Sequence, residues 1–135
     1  MKHITIQDIK DLKGQSFATL TAYDYNSAQL LDQSNVPLIL VGDSASMTMY
    51  GYDTTIPISM NEMLLIVKAV TRGTQNALVV ADMPFLSYQP SIEETIKNAG
   101  KFIKNGANAV KLEGGDRRVC GCVQALVNSG IPVMG

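Results

Sequence analysis

Short apolar runs and longer amphipathic segments alternate along this chain. Three of the apolar runs are rich in β-branched residues and end at an acidic residue. These are Val36–Val41 before Gly42-Asp43, Leu78–Ala81 before Asp82, and Ala109–Leu112 before Glu113. Runs of this kind are typical of strands buried on both faces, which occur in parallel sheets covered by helices. The pattern therefore predicts a buried parallel sheet with an acid at the end of each of three strands.

Helix start and stop signals fill the segments between these runs. A capping residue begins each predicted helix, and a glycine or an asparagine ends most of them. The start signals are Thr5-Ile6-Gln7-Asp8, Asp24, the capping boxes Ser59-Met60-Asn61-Glu62 and Ser91-Ile92-Glu93-Glu94, and Asp116. The stop signals are Gly14, Asn35, Gly73 and Gly106.

Two further strands complete the predicted order of elements. Ser16–Ala22 is the first strand, ending at Tyr23-Asp24, and Ile131–Gly135 begins a fifth. Strands that alternate with helices predict an α/β fold with a parallel sheet, here four strand–helix units and a truncated fifth strand. The helix faces predicted to pack on this sheet carry Ala28, Leu31 and Leu30 after Asp24, and Val119, Cys122, Val123 and Leu126 after Asp116.

The length of the chain limits this prediction. The 135 residues suffice for one domain with its own core. A complete eight-stranded βα barrel, in which chemistry collects at the carboxyl ends of the strands, typically needs about 250 residues. One connection at that end, Ala45–Pro57, is long for a βα loop, where about 2–6 residues are usual. It is either a lid or binding loop or a surface excursion.

Composition and charge exclude several classes of partner. Hydrophobic residues make up 46% of the chain and charged residues 17%, as in ordinary globular proteins. A net charge of −1 gives no electrostatic reason to expect binding to nucleic acid or to an anionic membrane. The two cysteines, Cys120 and Cys122, are expected to be free thiols. With no predicted membrane span and no signal peptide, we expect a cytoplasmic protein.

Asp43, Asp82 and Glu113 form the candidate site, because each follows a buried apolar strand. Their carboxylates are hard oxygen ligands suited to Mg²⁺ or Mn²⁺. His3 is the only histidine, so a zinc site built on histidines is not expected. Each acid taken alone also fits a helix N-cap after its strand. Three at equivalent strand ends favour a functional cluster.

Lys111 is the unusual residue of the fourth strand. Side chains of a strand alternate between its faces, so Lys111 and Glu113 point one way and Val110 and Leu112 the other. The apolar pair belongs against the helices, which places Lys111 in the interior. A lysine there needs an anionic partner, either a substrate near a metal or an acid in a structural ion pair. Ser44 either donates to a carboxylate or begins a helix.

Six motifs in order and spacing resemble the ketopantoate hydroxymethyltransferase family over nearly the whole chain. They are Thr21-Ala22-Tyr23-Asp24, Val41-Gly42-Asp43-Ser44, Gly51-Tyr52-Asp53-Thr54-Thr55, Ala81-Asp82-Met83-Pro84-Phe85, Val110-Lys111-Leu112-Glu113-Gly114-Gly115 and Gly130-Ile131-Pro132-Val133. The resemblance implies that residues 1–135 are a single incomplete domain, the N-terminal part of a (β/α)8 TIM barrel. It also implies a homo-oligomer in the full-length enzyme.

The resemblance implies a reaction as well. The family transfers a hydroxymethyl group from methylenetetrahydrofolate to 3-methyl-2-oxobutanoate, giving 2-dehydropantoate for pantothenate biosynthesis. By this likeness Asp43 and Asp82 would bind Mg²⁺, with Glu113 completing the site directly or through water. Asp43, Ser44, Asp82 and Lys111 would contact the ketoacid. The metal would act as a Lewis acid that promotes enolate formation.

Two departures from the family pattern accompany this likeness. Family members are about twice as long, and their general base is a glutamate expected beyond Gly135, so the chain itself carries no catalytic base. We therefore interpret it as an N-terminal fragment that is inactive alone. The alternatives are a Mg²⁺-dependent ketoacid carbon–carbon lyase of the same barrel class, and a non-catalytic metal-binding remnant or one piece of a split barrel.

Overall fold

The computed structural model of this protein describes residues 3–135. Met1 and Lys2 of the predicted domain lie outside the described residues. Five parallel strands form one sheet in the order of the sequence, β1 to β5. The strands are β1 Thr19–Thr21, β2 Leu38–Val41, β3 Leu78–Asp82, β4 Ala109–Lys111 and β5 Val133–Met134. The helices are α1 Ile6–Asp11, α2 Tyr25–Gln33, α3 Ala45–Thr48, α4 Met60–Gly73, α5 Ile92–Lys104 and α6 Arg117–Asn128.

The capping signals place the helices as predicted. Thr5 and Ser59 each accept from the backbone N–H three residues on, and Asp8 and Glu62 complete the two capping boxes. Asp24 and Asp116 also cap their helices through their side chains. The box predicted at Ser91 forms only in part. Ser91 accepts from the backbone of Glu94, whereas the carboxylate of Glu94 lies 3.6 Å from Lys97.

Alternation along the strands divides the sheet into two apolar faces. Ile39, Val79 and Val110 lie on the outer face, in the main core with the helices. The inner face carries Leu38, Leu78, Val80 and Ala109, and Ile6 and Ile9 of α1 pack against them at the amino ends of the strands. The carboxyl ends of the inner face remain uncovered by α1, which leaves this edge free for a site.

Two local predictions were wrong. The first strand is shorter than Ser16–Ala22, and all three residues of β1 are exposed because it is an edge strand. Leu30 is 64% exposed, since only Ala28 and Leu31 of its helix meet the core. The segment Ala45–Pro57, for which the sequence predicts either a lid or binding loop or a surface excursion, begins with the helical turn α3. Among residues 3–135, no helix is long and apolar enough to cross a membrane.

Candidate active site at the carboxyl edge of the sheet

The parallel sheet brings two of the predicted acids together with Lys111. Asp82 is the last residue of β3 and pairs in register with Lys111, the last residue of β4. Asp43 follows β2 by two residues, and its backbone N–H donates to Asp82 Oδ2 at 3.3 Å. Parallel strands end at one edge, so residues far apart in the chain meet here.

Lys111 lies between two carboxylates. Its Nζ donates to Asp82 Oδ1 at 3.1 Å and to Glu113 Oε1 at 3.1 Å. Asp82 is almost fully buried, whereas the side chain of Glu113 is 78% exposed. The inward orientation predicted for Lys111 is thus present, as is the ion pair considered for it. The pair with Asp82 is the more enclosed of the two.

Burial dominates the acid–base properties of this cluster. It raises the pKa of Asp82 to about 6; Lys111 opposes this rise and the charge of Asp43 adds to it. Burial also raises the pKa of Asp43, although a hydrogen bond with Thr55 opposes the shift. For Lys111, burial alone would lower the pKa, but Asp82 and Glu113 outweigh it and hold the pKa above its usual value. The cluster contains one ammonium group and three carboxyl groups, so it carries a net negative charge when the acids are ionised.

The donor set suits a hard divalent cation in its chemistry. Asp43 and Asp82 line one cleft of about 110 Å³, and Glu113 lines it as well. Asp82 is buried and Asp43 half-buried, and both have raised pKa values, so a cation would stabilise both carboxylates in their charged form. Within residues 3–135, however, no group of three or more His, Cys, Asp or Glu side chains is arranged to hold a metal ion. Lys111, rather than a shared centre, joins Asp82 to Glu113.

Ser44 follows Asp43 and begins α3, as one of its two predicted roles required. Its hydroxyl contacts the hydroxyl of Tyr23 at 2.8 Å. Tyr23 comes from the end of β1, so this contact joins the first two strand ends. The sequence names Tyr23 only at the end of the first strand and within the first motif, with no role predicted for it. Its place in the first motif, directly after a strand, is the signal that could have marked it.

The segment after α3 folds back and forms hydrogen bonds with α3. Ser46 is fully buried, and its hydroxyl donates to the carbonyl of Thr54 at 2.8 Å. The backbone N–H of Tyr52 donates back to the carbonyl of Ser46 at 3.1 Å. Thr55, which follows Thr54 in the chain, lines the cleft and forms a hydrogen bond with Asp43. In this structure the segment therefore forms a wall of the cleft.

Tyr88 forms the opposite wall. It is 7% exposed, and its hydroxyl donates to the backbone carbonyl of Glu113 at 3.2 Å. The hydroxyl of Thr95 on α5 donates to the carbonyl of Tyr88 at 3.1 Å and holds the loop after β3 in place. Thr55 and Tyr88 carry no strong signal in the sequence, because threonines and tyrosines are common in loops.

The chain matches one protein family over the whole described length. A model of the ketopantoate hydroxymethyltransferase family matches residues 3–135. A 3-methyl-2-oxobutanoate hydroxymethyltransferase from Staphylothermus marinus is 54% identical over 136 residues, which cover 100% of this chain and 50% of the relative. One from Thermotoga neapolitana is 53% identical over 133 residues, covering 98% and 49%. The chain thus spans about half the length of the curated relatives it matches.

Solved structures share the fold at low sequence identity. Phosphonopyruvate hydrolase in complex with oxalate and Mg²⁺ superposes with a TM-score of 0.72 at 16% identity, covering 87% of this chain and 44% of that one. The phosphoenolpyruvate phosphomutase from Streptomyces platensis subsp. rosaceus gives a TM-score of 0.72 at 14% identity, covering 94% and 50%.

The structural neighbours include 2,3-dimethylmalate lyase, a member of the PEP mutase/isocitrate lyase superfamily, whose members are βα barrels. It superposes with a TM-score of 0.68 at 16% identity, and this chain covers 49% of it. The five-stranded sheet therefore has the fold of half a βα barrel, as predicted. The family match, the extent of identity and the strand-end cluster agree, and the chain belongs to the ketopantoate hydroxymethyltransferase family.

Proposed function

We propose that this chain is the N-terminal half of a barrel enzyme that transfers a hydroxymethyl group from methylenetetrahydrofolate to 3-methyl-2-oxobutanoate, giving 2-dehydropantoate. The observation that carries the proposal is the family match over residues 3–135, with Asp43, Asp82 and Lys111 together at the carboxyl edge. The curated relatives bear the name of this activity. In this proposal residues 1–135 form a single domain that is completed by a C-terminal half.

Asp43 and Asp82 are the residues that would hold Mg²⁺, with Glu113 as the third ligand, directly or through water. Bound there, Mg²⁺ would supply Lewis-acid polarisation of the ketoacid oxygens. The supporting observation is the excess of carboxylate over positive charge in the cleft, which burial makes costly. The side chain of Glu113 is exposed, so of the three acids it is the one that can most easily exchange its contact with Lys111 for a cation.

Lys111 and Ser44 are proposed to bind the ketoacid together with the two metal-holding acids. The ammonium group of Lys111 already points into the acid cluster at the strand ends. It is a point charge with three donors, which suits a carboxylate oxygen brought close to the metal. Ser44 offers a neutral hydroxyl on the neighbouring strand end. Charge from one side and a hydroxyl from the other would orient a small ketoacid.

No residue of this chain is assigned the role of general base. The base is expected to be a glutamate beyond Gly135, in the half of the relatives that this chain does not match. We further propose that the completed enzyme is a cytoplasmic homo-oligomer, whose partners are the ketoacid and the folate donor. The two cysteines of this chain are free thiols, one exposed and one buried, as a reducing compartment allows.

The test uses what we call the complete barrel, this chain assembled by co-expression with the C-terminal half of the Staphylothermus marinus relative. It is assayed with 3-methyl-2-oxobutanoate and Mg²⁺, with and without methylenetetrahydrofolate, and in a separate sample with a branched hydroxy acid, 2,3-dimethylmalate, and Mg²⁺ without the folate. We expect 2-dehydropantoate only when the folate is present. Cleavage of a branched hydroxy acid without folate would instead identify a carbon–carbon lyase. Binding of Mg²⁺ without turnover of either kind would identify a non-catalytic remnant.

A further inference from the structure

The hydroxyl of Ser44 is not used in the way that the position of Ser44 suggests. Serine at a helix N-cap normally accepts a hydrogen bond from a backbone N–H in the first turn. Ser44 instead has helical backbone angles, φ −54° and ψ −14°. Among the described residues, no backbone N–H of α3 donates to its side chain. The hydroxyl is therefore turned away from the helix that it begins.

The hydroxyl of Tyr23 contacts the hydroxyl of Ser44, with 2.8 Å between the two oxygens. The geometry permits either oxygen to donate, and the greater acidity of the phenol favours Tyr23 as the donor and Ser44 as the acceptor. A serine that accepts in this way keeps its own proton for a third group. Tyr23 is only partly buried and packs against the main core, which holds its ring in place.

Because Gly42 has no side chain, the hydroxyl of Ser44 can lie close to its Cα. A Cβ on Gly42 would lie 2.7 Å from the Ser44 hydroxyl oxygen, closer than real contacts allow. A serine free to rotate would simply move aside, but moving here would break the contact with Tyr23. The missing side chain of Gly42 and the phenol of Tyr23 thus fix the same oxygen from two directions.

We infer that Tyr23 and Gly42 form a seat that orients the Ser44 hydroxyl as a donor to an oxygen of the ketoacid. Tyr23 is a positioning residue in this inference, because it acts through Ser44 and not on the substrate. The inference rests on the proposed function and names the residue that would donate to the neutral keto oxygen of the ketoacid. No bond is made or broken at Ser44.

The experiment is a double-mutant cycle in the complete barrel. The variants are Tyr23→Phe, Ser44→Ala and the two combined, and binding of 3-methyl-2-oxobutanoate is measured by titration calorimetry alongside KM and kcat. Each single change should weaken ketoacid binding by about 3- to 10-fold, the typical size of one lost hydrogen bond. The double variant should be no weaker than Ser44→Ala, since Tyr23 has no route to the ketoacid except through Ser44.

Two conservative controls accompany the cycle. Tyr25→Phe removes an exposed phenol two residues away and should leave ketoacid binding unchanged. Gly42→Ala should weaken binding as Tyr23→Phe does, whereas Gly121→Ala, where a Cβ meets nothing within 4 Å, should not. Melting temperatures of the variants show whether any loss reflects unfolding.

The outcomes separate this inference from the proposed function. If the unmodified complete barrel binds and turns over the ketoacid while Tyr23→Phe matches it in affinity, the inference fails and the function stands. Additive losses in the double variant would also overturn it, because Tyr23 would then act independently of Ser44. If the unmodified complete barrel neither binds nor converts the ketoacid, the proposed function fails and the inference falls with it.

Discussion

At the scale of single residues, Lys111 determines how the charges of the site are balanced. It is the cation between Asp82 and Glu113, and it lies on the face of β4 that would otherwise be apolar. A buried lysine is expensive unless it is paired. The pair with Asp82 meets that requirement without a ligand, and the same ammonium group remains within reach of a bound anion. Structural and substrate-binding roles are thus compatible in this residue.

Replacing Lys111 by Met separates these roles. In the complete barrel, Lys111→Met should weaken binding of 3-methyl-2-oxobutanoate by about tenfold or more, because a charge-assisted hydrogen bond is worth about 1.5–3 kcal/mol. Binding of Mg²⁺ should weaken less, or strengthen, because the competing cation is gone. Titration calorimetry with each ligand measures both, and Lys104→Met, an exposed lysine on α5, is the matched control. An unchanged ketoacid affinity would leave Lys111 as a structural ion pair only.

Asp82 is the acid whose loss should be most severe. It is buried at the end of β3 and contacts both Lys111 and the backbone of Asp43. In the complete barrel, Asp82→Asn should abolish Mg²⁺-dependent turnover, since the amide keeps the shape but loses the charge that would hold the metal. The assay is a Mg²⁺ titration of turnover, with the exposed acid Asp11, on α1 away from the cleft, changed to Asn as control. Near-normal activity at ordinary Mg²⁺ would remove Asp82 from the metal site.

At the scale of elements, the buried carboxylate of Asp32 joins α2 to the segment that leads into β3. Asp32 is 5% exposed and accepts from the backbone N–H groups of Gln75, Asn76 and Ala77 at 3.2, 2.9 and 2.7 Å. The side-chain amide of Asn76 adds a fourth contact at 3.0 Å. Burial alone would raise the pKa of Asp32, but these donors outweigh it and hold the pKa below its usual value.

Asp32→Asn should therefore destabilise the fold. The amide would place a donor against N–H groups, and one buried unsatisfied group costs about 1–3 kcal/mol. The contribution of the carboxylate is fully present above its unfolded pKa, near 3.8, and is lost as the pH falls through the lower folded value. Denaturant unfolding of the complete barrel should show a difference in the free energy of unfolding between the two proteins at pH 7 that narrows progressively as the pH falls below about 4.

The exposed Asp53→Asn serves as control, with no expected change in unfolding. A gap for Asp32→Asn that persists unchanged at pH 3 would show that the shape of the group, and not its charge, is what matters at this junction.

Local signals explain which elements the sequence predicted well. Capping residues such as Thr5 and Ser59 act within one helical turn, so their effect is readable without the fold. The inward orientation of Lys111 also followed from alternation along its strand, whereas its pairing with Asp82 appears only in the fold. The seat of Ser44, the role of Asp32 and the exposure of Leu30 depend on contacts between distant elements. No local pattern carries that information, and the Mg²⁺ ligand set remains a prediction.

At the scale of the whole molecule, the inner face of the sheet is only partly covered. A groove of about 200 Å³, lined almost entirely by apolar atoms, runs along α1 past Leu38 and Val80 to Met134 on β5. In the described chain, β1 and β5 each pair with a strand on one side only. In a closed barrel the remaining strands would cover this groove and these edges.

The isolated chain should therefore associate with itself. Unpaired edges and an open apolar face favour pairing with other chains. Size-exclusion chromatography with light scattering should show oligomers or aggregates for the chain alone, and a defined species after assembly with the C-terminal half. Adding that half should also raise the resistance of the chain to proteolysis. A sharp monomer peak for the chain alone would contradict the half-barrel account.

The most direct test of the half-barrel proposal is an assay of 2-dehydropantoate formation. It compares this chain, the C-terminal half, and the two halves together. All three samples receive 3-methyl-2-oxobutanoate, methylenetetrahydrofolate and Mg²⁺. We expect negligible product from either half alone, because the proposed metal-holding acids and the proposed base lie in different halves. Loss of a positioned base alone typically forfeits about 10²–10⁴-fold in rate. The two together should form product that is lost on removal of Mg²⁺ or of the folate. Mg²⁺- and folate-dependent product from the 135-residue chain alone would contradict the account.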